Sequence, residues 1–101
     1  MTMAATLTES FHGDDVTLST SPTLIYTADG DLAMIDPSEQ ILVQNLDASI
    51  IVTVGGSDVA DKSNGFVLSS QYSYITIPLR MGTEVYAIAA SGTPLVSVTR
   101  V

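Results

Sequence analysis

The sequence predicts an all-β domain, a compact antiparallel β-sandwich or jelly-roll-like barrel of seven to eight short strands. Short runs of alternating apolar and polar residues recur along the chain, separated by Gly, Pro, Asn or Ser, and no stretch keeps the period of an amphipathic helix. The 101 residues have room for a single modest core. We therefore expect residues 1–13 to form an amino-terminal arm and residues 14–101 to form one β-sandwich domain.

The first strands are expected directly after the arm. Residues 16–20 and 23–27 are rich in Val, Thr, Leu and Ile, and they are separated by Pro22, which cannot donate a hydrogen bond within a sheet. Residues 29–39 contain Gly, Pro and clustered acids, which is typical of a loop.

The middle of the chain has the clearest strand pattern. Two β-branched runs, 41–43 and 50–54, flank a polar break at 45–49, and we expect them to form a β-hairpin. A tight turn is expected next, at residues 55–58, where two glycines are followed by Ser and Asp.

The second half contributes four more strand candidates. The stretch 57–65 reads as a surface loop that closes on Asn64-Gly65, a dipeptide suited to positive φ. Ser91-Gly92 is expected to be the turn of a hairpin between the last two candidates. The four candidates are residues 66–68, 72–79, 83–89 and 95–101.

The charge balance argues against several classes of partner. Eleven acidic residues and only three Lys or Arg give a net charge of −8. Nucleic acids and anionic membranes are bound through basic patches, so neither is expected as a partner. There is no apolar run of the roughly 18 residues that a membrane span needs, and the amino-terminal residues lack the basic and apolar regions of a secretory signal.

No catalytic, cofactor or metal site is expected. The chain has no cysteine, and its single histidine, His12, lies in the predicted arm rather than on a rigid element. The acids of the 29–39 loop do not have the spacing of an EF-hand, and the glycines at 55–56 lack the downstream Lys of a phosphate-binding loop. The protein is therefore not expected to be an enzyme. The acids of that loop are Asp29, Asp31, Asp36 and Glu39.

Aromatic and apolar side chains are the candidates for partner binding. Tyr72 and Tyr74 share one strand face and, with Tyr86 on another strand, could form a platform for a partner protein or a sugar. The absence of Trp makes a sugar the weaker alternative. In the arm, Leu7 and Phe11 are the candidate anchors.

Four sequence blocks occur in a familiar order from Gln40 onward. They are ILVQN, IIVTVGGSDV, GFVLSS and GTEVYAIAASGTPLVSVTRV. This order resembles small structural proteins of tailed-bacteriophage virions, and the resemblance covers residues 40–101. It implies a structural rather than a catalytic protein.

The resemblance implies a capsid decoration, or cement, protein on the outer capsid surface, made in the host cytoplasm. Its partners would be the major capsid protein or another virion protein, and it would form a homo-oligomer such as a trimer. A tail, fibre or head-to-tail connector component is the alternative within this class. A carbohydrate-binding β module is the alternative from another class.

Overall fold

A computed structural model describes residues 13–28, 39–80 and 82–100. These residues form eight strands in two four-stranded antiparallel sheets, which confirms the all-β prediction. The strands are β1 (Gly13–Thr17), β2 (Thr23–Thr27), β3 (Glu39–Asn45), β4 (Val52–Ala60), β5 (Ser63–Leu68), β6 (Tyr74–Leu79), β7 (Glu84–Ala89) and β8 (Leu95–Arg100).

The strand order is that of an eight-stranded jelly roll. Sheet A has the order β1-β8-β3-β6, and sheet B has the order β2-β7-β4-β5. Successive strands alternate between the two sheets, except that β4 and β5 are consecutive and paired. This double-sheet arrangement is the jelly-roll form of the expected sandwich.

The core lies between the sheets and is built from alternate residues of the strands. Branched aliphatic side chains predominate because they fit a pleated, buried surface, and each contributes about 1.5–3 kcal/mol by its burial. Fully buried members are Ile41, Val43 and Val96 from sheet A and Val52, Val54 and Ala87 from sheet B.

The predicted hairpin of 41–43 with 50–54 is wrong. The first run lies in β3 and the second leads into β4, which begins at Val52, and these strands lie in different sheets, so the polar break crosses between the sheets. The buried side chain of Asn45 holds this crossing. Its amide nitrogen donates to the carbonyl oxygens of Ile50 (2.8 Å) and Leu68 (3.3 Å), and its amide oxygen accepts from the backbone N–H of Asp47 (2.9 Å).

The predicted turn at 55–58 is also wrong, because these residues lie within β4, where the register with β5 is interrupted between Gly55 and Ala60. The chain reverses at Asp61 and Lys62, and Lys62 has a φ of 57°. Gly55 lies opposite Gly65, and a Cβ on Gly55 would collide with the carbonyl oxygen of Asn64. The glycine therefore permits a close approach of two strands rather than a turn.

The tip of the β4–β5 hairpin folds over the outer face of sheet B. Thr53 points away from the core, yet it is buried, and its hydroxyl accepts a hydrogen bond from the backbone N–H of Lys62 (2.9 Å). Val59 and Ile88 are buried outside the main core cluster, and Val59 Cγ2 is 3.3 Å from the position of a Cβ on Gly55. The protein thus covers part of this outer face itself.

Three smaller predictions also need correction. Ser91-Gly92 does not close a hairpin, because β7 and β8 lie in different sheets. The strand expected at 16–20 is β1, which begins at the last residue of the expected arm and ends before Leu18, a buried residue whose N–H donates to Pro94 O (2.8 Å). Of the Asn64-Gly65 pair, only Asn64 has a positive φ, 59°.

Candidate interaction surface

The outer face of sheet A is almost free of charge. The core-facing residues of its strands alternate with outward-facing ones, so the register identifies the outer face directly. Asp15 is the one outward side chain of these four strands that is charged at neutral pH, within the part of the chain that the structure describes. The other outward side chains include Thr17, Ser97, Thr99, Leu42, Gln44 and Thr76.

Four large side chains lie together at one end of this face. Gln44 is opposite Tyr74, and the N–H of Asn45 donates to the carbonyl oxygen of Ser73 (2.7 Å). Leu46 directly follows the last residue of β3, and Tyr72 lies two residues before the first residue of β6, so both lie at this end of the sheet. On the β8 side, the N–H of Leu46 donates to the carbonyl oxygen of Leu95 (3.1 Å). The resulting outer patch consists of Leu46, Tyr72, Tyr74 and Leu95.

All four side chains of the outer patch are exposed. Their exposed fractions are 74% for Tyr72, 64% for Tyr74, 47% for Leu46 and 41% for Leu95. Single exposed apolar residues are common on proteins, but a contiguous group on one face is typical of an interaction surface. Tyrosine favours such surfaces because its ring is apolar and its hydroxyl can stay hydrated.

The loop that carries Leu46 is held by hydrogen bonds on both sides of that residue. Asn45 is tied to the core as described above. The carboxylate of Asp47 accepts hydrogen bonds from the hydroxyl of Ser49 (2.7 Å) and from its backbone N–H (2.9 Å). The Ser49 hydroxyl, followed by its N–H, lowers the pKa of Asp47 from its ordinary value. Leu46 is therefore presented by an ordered loop, which reduces the entropy lost when a partner binds.

The structure brings together only part of the predicted aromatic platform. Tyr72 and Tyr74 lie on one face as expected, but Tyr86 belongs to β7 in the other sheet. It is half-buried there, and its hydroxyl donates to the carboxylate of Glu84 at 3.5 Å. The prediction of a platform that includes all three tyrosines is therefore wrong.

Leu46 and Leu95 are the members of the outer patch that the sequence reading missed. The sequence places Leu46 in the break of a hairpin, and it pairs the strand that begins at Leu95 with residues 83–89, which lie in the other sheet. The sequence does contain a signal that Leu46 points outward, since Leu46 continues the alternation of the outward-facing residues Leu42 and Gln44.

Several other sequence candidates lie outside the described residues. These are the arm anchors Leu7 and Phe11, together with His12 and the loop acids at 29, 31 and 36. In the ranges 13–28, 39–80 and 82–100, no group of three or more His, Cys, Asp or Glu side chains could hold a metal ion. The same ranges contain no helix that is long and apolar enough to cross a membrane.

Comparison with known families and curated proteins identifies no relative of the chain. No protein-family model matches the chain, and a search of curated proteins finds no match. The geometry of the chain itself is therefore the basis of the functional argument.

Proposed function

We propose that the protein is a bacteriophage structural protein, a capsid decoration protein that binds the outer surface of the shell and stabilises it by contacts repeated through symmetry. The observation that carries the proposal is the outer patch, Leu46, Tyr72, Tyr74 and Leu95, on a nearly uncharged sheet face. The sequence resemblance of residues 40–101 to phage virion proteins supports the same class.

The chemistry of this face suits docking to a large protein surface. Burying the remaining exposed surface of Leu46 and Leu95, together with the Tyr72 and Tyr74 rings, removes apolar area from water and so favours association. The surrounding Ser, Thr and Gln side chains can form hydrogen bonds at the rim, and only Asp15 would present a charge to be desolvated. The net charge of −8 favours solubility of the protein before it docks.

The partner in this proposal is the major capsid protein or another virion protein, and the location is the outer capsid surface. A homo-oligomer such as a trimer would repeat the outer patch around a symmetry axis and multiply weak contacts. Leu7 and Phe11 of the arm would add a second attachment. The jelly-roll fold itself does not support a capsid role over other functions, because the same architecture occurs in capsid, lectin and cupin domains.

The direct test is the composition of purified virions. We expect the protein to copurify with mature heads in a ratio close to that of the shell subunit, measured by quantitative mass spectrometry. Its presence on isolated tails or fibres instead would move it to the tail, fibre or connector alternative. Its absence from every particle would contradict the proposal.

Variants of the outer patch test the surface itself. The double variant Tyr72→Ala/Tyr74→Ala should lose sedimentation with heads at least tenfold, because it removes the two most exposed rings, while its thermal midpoint stays near that of the wild type. Thr76→Ala, an exposed position on the same face, is the matched control and should bind normally. Undiminished sedimentation of the double variant would contradict docking through this face.

The arm is tested by truncation. Because Gly13 belongs to β1, the deletion should end at residue 12. We expect the truncated protein to fold and to bind heads much more weakly; equal binding would remove Leu7 and Phe11 from the proposal.

The carbohydrate alternative is tested with the same Tyr variants. A glycan array that detects binding by the wild type, and loss of it in Tyr72→Ala/Tyr74→Ala, would favour a carbohydrate-binding module. Absence of glycan binding together with sedimentation on heads is the result that we expect.

A further inference from the structure

An apolar pocket opens between the two sheets on the side where β5 and β6 are the edge strands. Its volume is about 220 Å³. The lining side chains come from both sheets, namely Val54, Phe66 and Val85 from sheet B and Ile77 and Leu79 from sheet A. Gly56 lies at its rim. An apolar cavity of about 150 Å³ accepts a benzene ring, so this one is large enough for a Leu, Met or Phe side chain.

The pocket lies beside an available strand edge. Within the described residues β5 pairs only with β4, so the other edge of its backbone faces away from the sheet. Phe66 and Val67 on this strand are 55% and 42% exposed. An edge strand next to a side-chain pocket is the arrangement by which proteins bind an extended peptide, through main-chain hydrogen bonds and one inserted side chain.

The charges near the pocket mouth are mainly negative. A carboxylate oxygen of Asp58 is 3.5 Å from the position of a Cβ on Gly56, and Glu84 is one of the lining residues. Lys62 is paired with its neighbour Asp61 at the hairpin tip (3.7 Å). Arg80 follows the lining residue Leu79 in sequence, but it does not itself line the pocket. A ligand with a basic group beside its apolar side chain would complement the two carboxylates.

We propose that this side of the sandwich binds an extended segment of a partner protein. The segment adds as a strand to the free edge of β5, inserts one Leu, Met or Phe side chain into the pocket, and places a Lys or Arg against Asp58 and Glu84. The site does not include the outer patch, which lies on the outer face of sheet A, and it does not depend on the function proposed above.

The experiment uses synthetic extended decapeptides and the full chain, with binding measured by fluorescence anisotropy. The peptides carry Thr and Val at most positions, one central Leu, Met, Phe or Ala, and either Lys or Glu beside it. We expect the Lys-flanked peptides with Leu, Met or Phe to bind at least tenfold more tightly than those with Ala or with Glu flanks. N-methylation of alternate backbone nitrogens should abolish binding, because strand addition needs those N–H groups. Equal binding of the N-methylated peptides, or no binding by any peptide, would overturn the proposal.

Two variants locate the binding on the protein. Gly56→Val should weaken binding at least tenfold by narrowing the pocket mouth, and it should fold, because among the described residues beyond its chain neighbours the nearest atom to a new Cβ is the Asp58 oxygen, at 3.5 Å. Asp58→Asn/Glu84→Gln should weaken the Lys-flanked peptides and leave peptides with uncharged flanks unaffected. Peptide affinity that is unchanged in both variants would overturn the proposal.

Tyr74→Ala, in the outer patch, is the control and should bind the peptides normally. Sedimentation with heads is measured separately on the same variants. Failure of either proposal is therefore recognised independently of the other.

Discussion

Asn45 ties the crossing from β3 to β4 to the backbone on both sides of it and to β5. It is 6% exposed, and its side chain forms hydrogen bonds with three different backbone groups. No buried side-chain N or O atom in the described part of the chain lacks a hydrogen-bond partner. A change at this residue would therefore leave polar backbone groups of Ile50 and Leu68 without their partner, which is costly in a low-dielectric interior.

We expect Asn45→Ala to lower the free energy of unfolding by about 2–3 kcal/mol, because buried carbonyl groups lose their donor. Urea denaturation followed by tyrosine fluorescence measures this change. Gln44→Ala, at the adjacent exposed position, should change stability by less than about 0.5 kcal/mol. Similar small effects of both substitutions would contradict the assigned role of Asn45.

Asp47 makes stability depend on pH in a defined direction. Its pKa in the folded protein is lowered by the Ser49 hydroxyl, and then by the Ser49 backbone N–H. The unfolded chain therefore binds a proton more tightly than the folded protein at this residue. The stabilisation is present above the ordinary Asp pKa of about 3.9 and is lost as the pH falls through the lower folded-state value.

Asp47→Asn should accordingly be less stable than the wild type at pH 7, and the difference should shrink as the pH is lowered below about 3.9. Thermal denaturation across this range checks the prediction. Ser49→Ala removes the hydroxyl that bonds Asp47, so it should reproduce part of the same pH dependence. A stability difference that is constant with pH would show that the charge of Asp47 is not responsible.

At the scale of the element, β4 contains two adjacent glycines with different roles. Gly55 lies against the β5 backbone, where a side chain would meet the carbonyl oxygen of Asn64. Gly56 has space around it, and neither glycine has a positive φ. The first glycine is therefore required by packing and the second is not.

Gly55→Ala should destabilise the protein by about 1–3 kcal/mol, because backbone must move to admit the methyl group. Gly56→Ala is the matched control and should be neutral or stabilise by up to about 1 kcal/mol, since it reduces the freedom of the unfolded chain. Chemical denaturation of both variants measures the contrast. Equal effects would refute the close approach of β4 and β5.

The strands themselves were predictable, whereas their pairing was not. The alternation of apolar and polar residues that marks a strand such as β7 is a local pattern and can be recognised in the sequence. Which strand it pairs with depends on residues far along the chain. A glycine in the sequence is also ambiguous, because it is favoured both in a turn with a positive φ and where two strands approach closely. Gly55 was predicted to lie in a turn and instead permits a close approach of β4 and β5. Tyr72 and Tyr74 were found from alternation alone. The alternation of Leu42 and Gln44 also points Leu46 outward, but which side chains lie beside Leu46 depends on the pairing of β3 with β6 and β8.

At the scale of the whole molecule, the jelly-roll topology makes nearly all strand pairing non-local. Six strand pairs build the two sheets, and β4 with β5 is the only pair of consecutive strands among them within the described residues. Chain entropy must be lost before such contacts form, so folding is slow relative to that of helical domains of similar size.

We expect refolding from urea to take milliseconds to seconds. Stopped-flow tyrosine fluorescence measures this rate, since the chain has four Tyr and no Trp. Gly55→Ala, which perturbs the one local hairpin, provides a comparison of folding and unfolding rates. Refolding within microseconds would contradict a mechanism limited by distant strand pairing.

The position of β8 also determines when a newly made chain can fold. This last strand lies between β1 and β3 in sheet A, so β1 has no neighbour in its sheet until residues 95–100 are available. During translation, the strands of sheet B and the β3–β6 pair are available earlier, but β1 must stay without a sheet neighbour until β8 has left the ribosome. A chain that lacks β8 would not produce a weakened jelly roll, because β1 and β3 would have no strand between them. It would produce a substrate for chaperones and proteases.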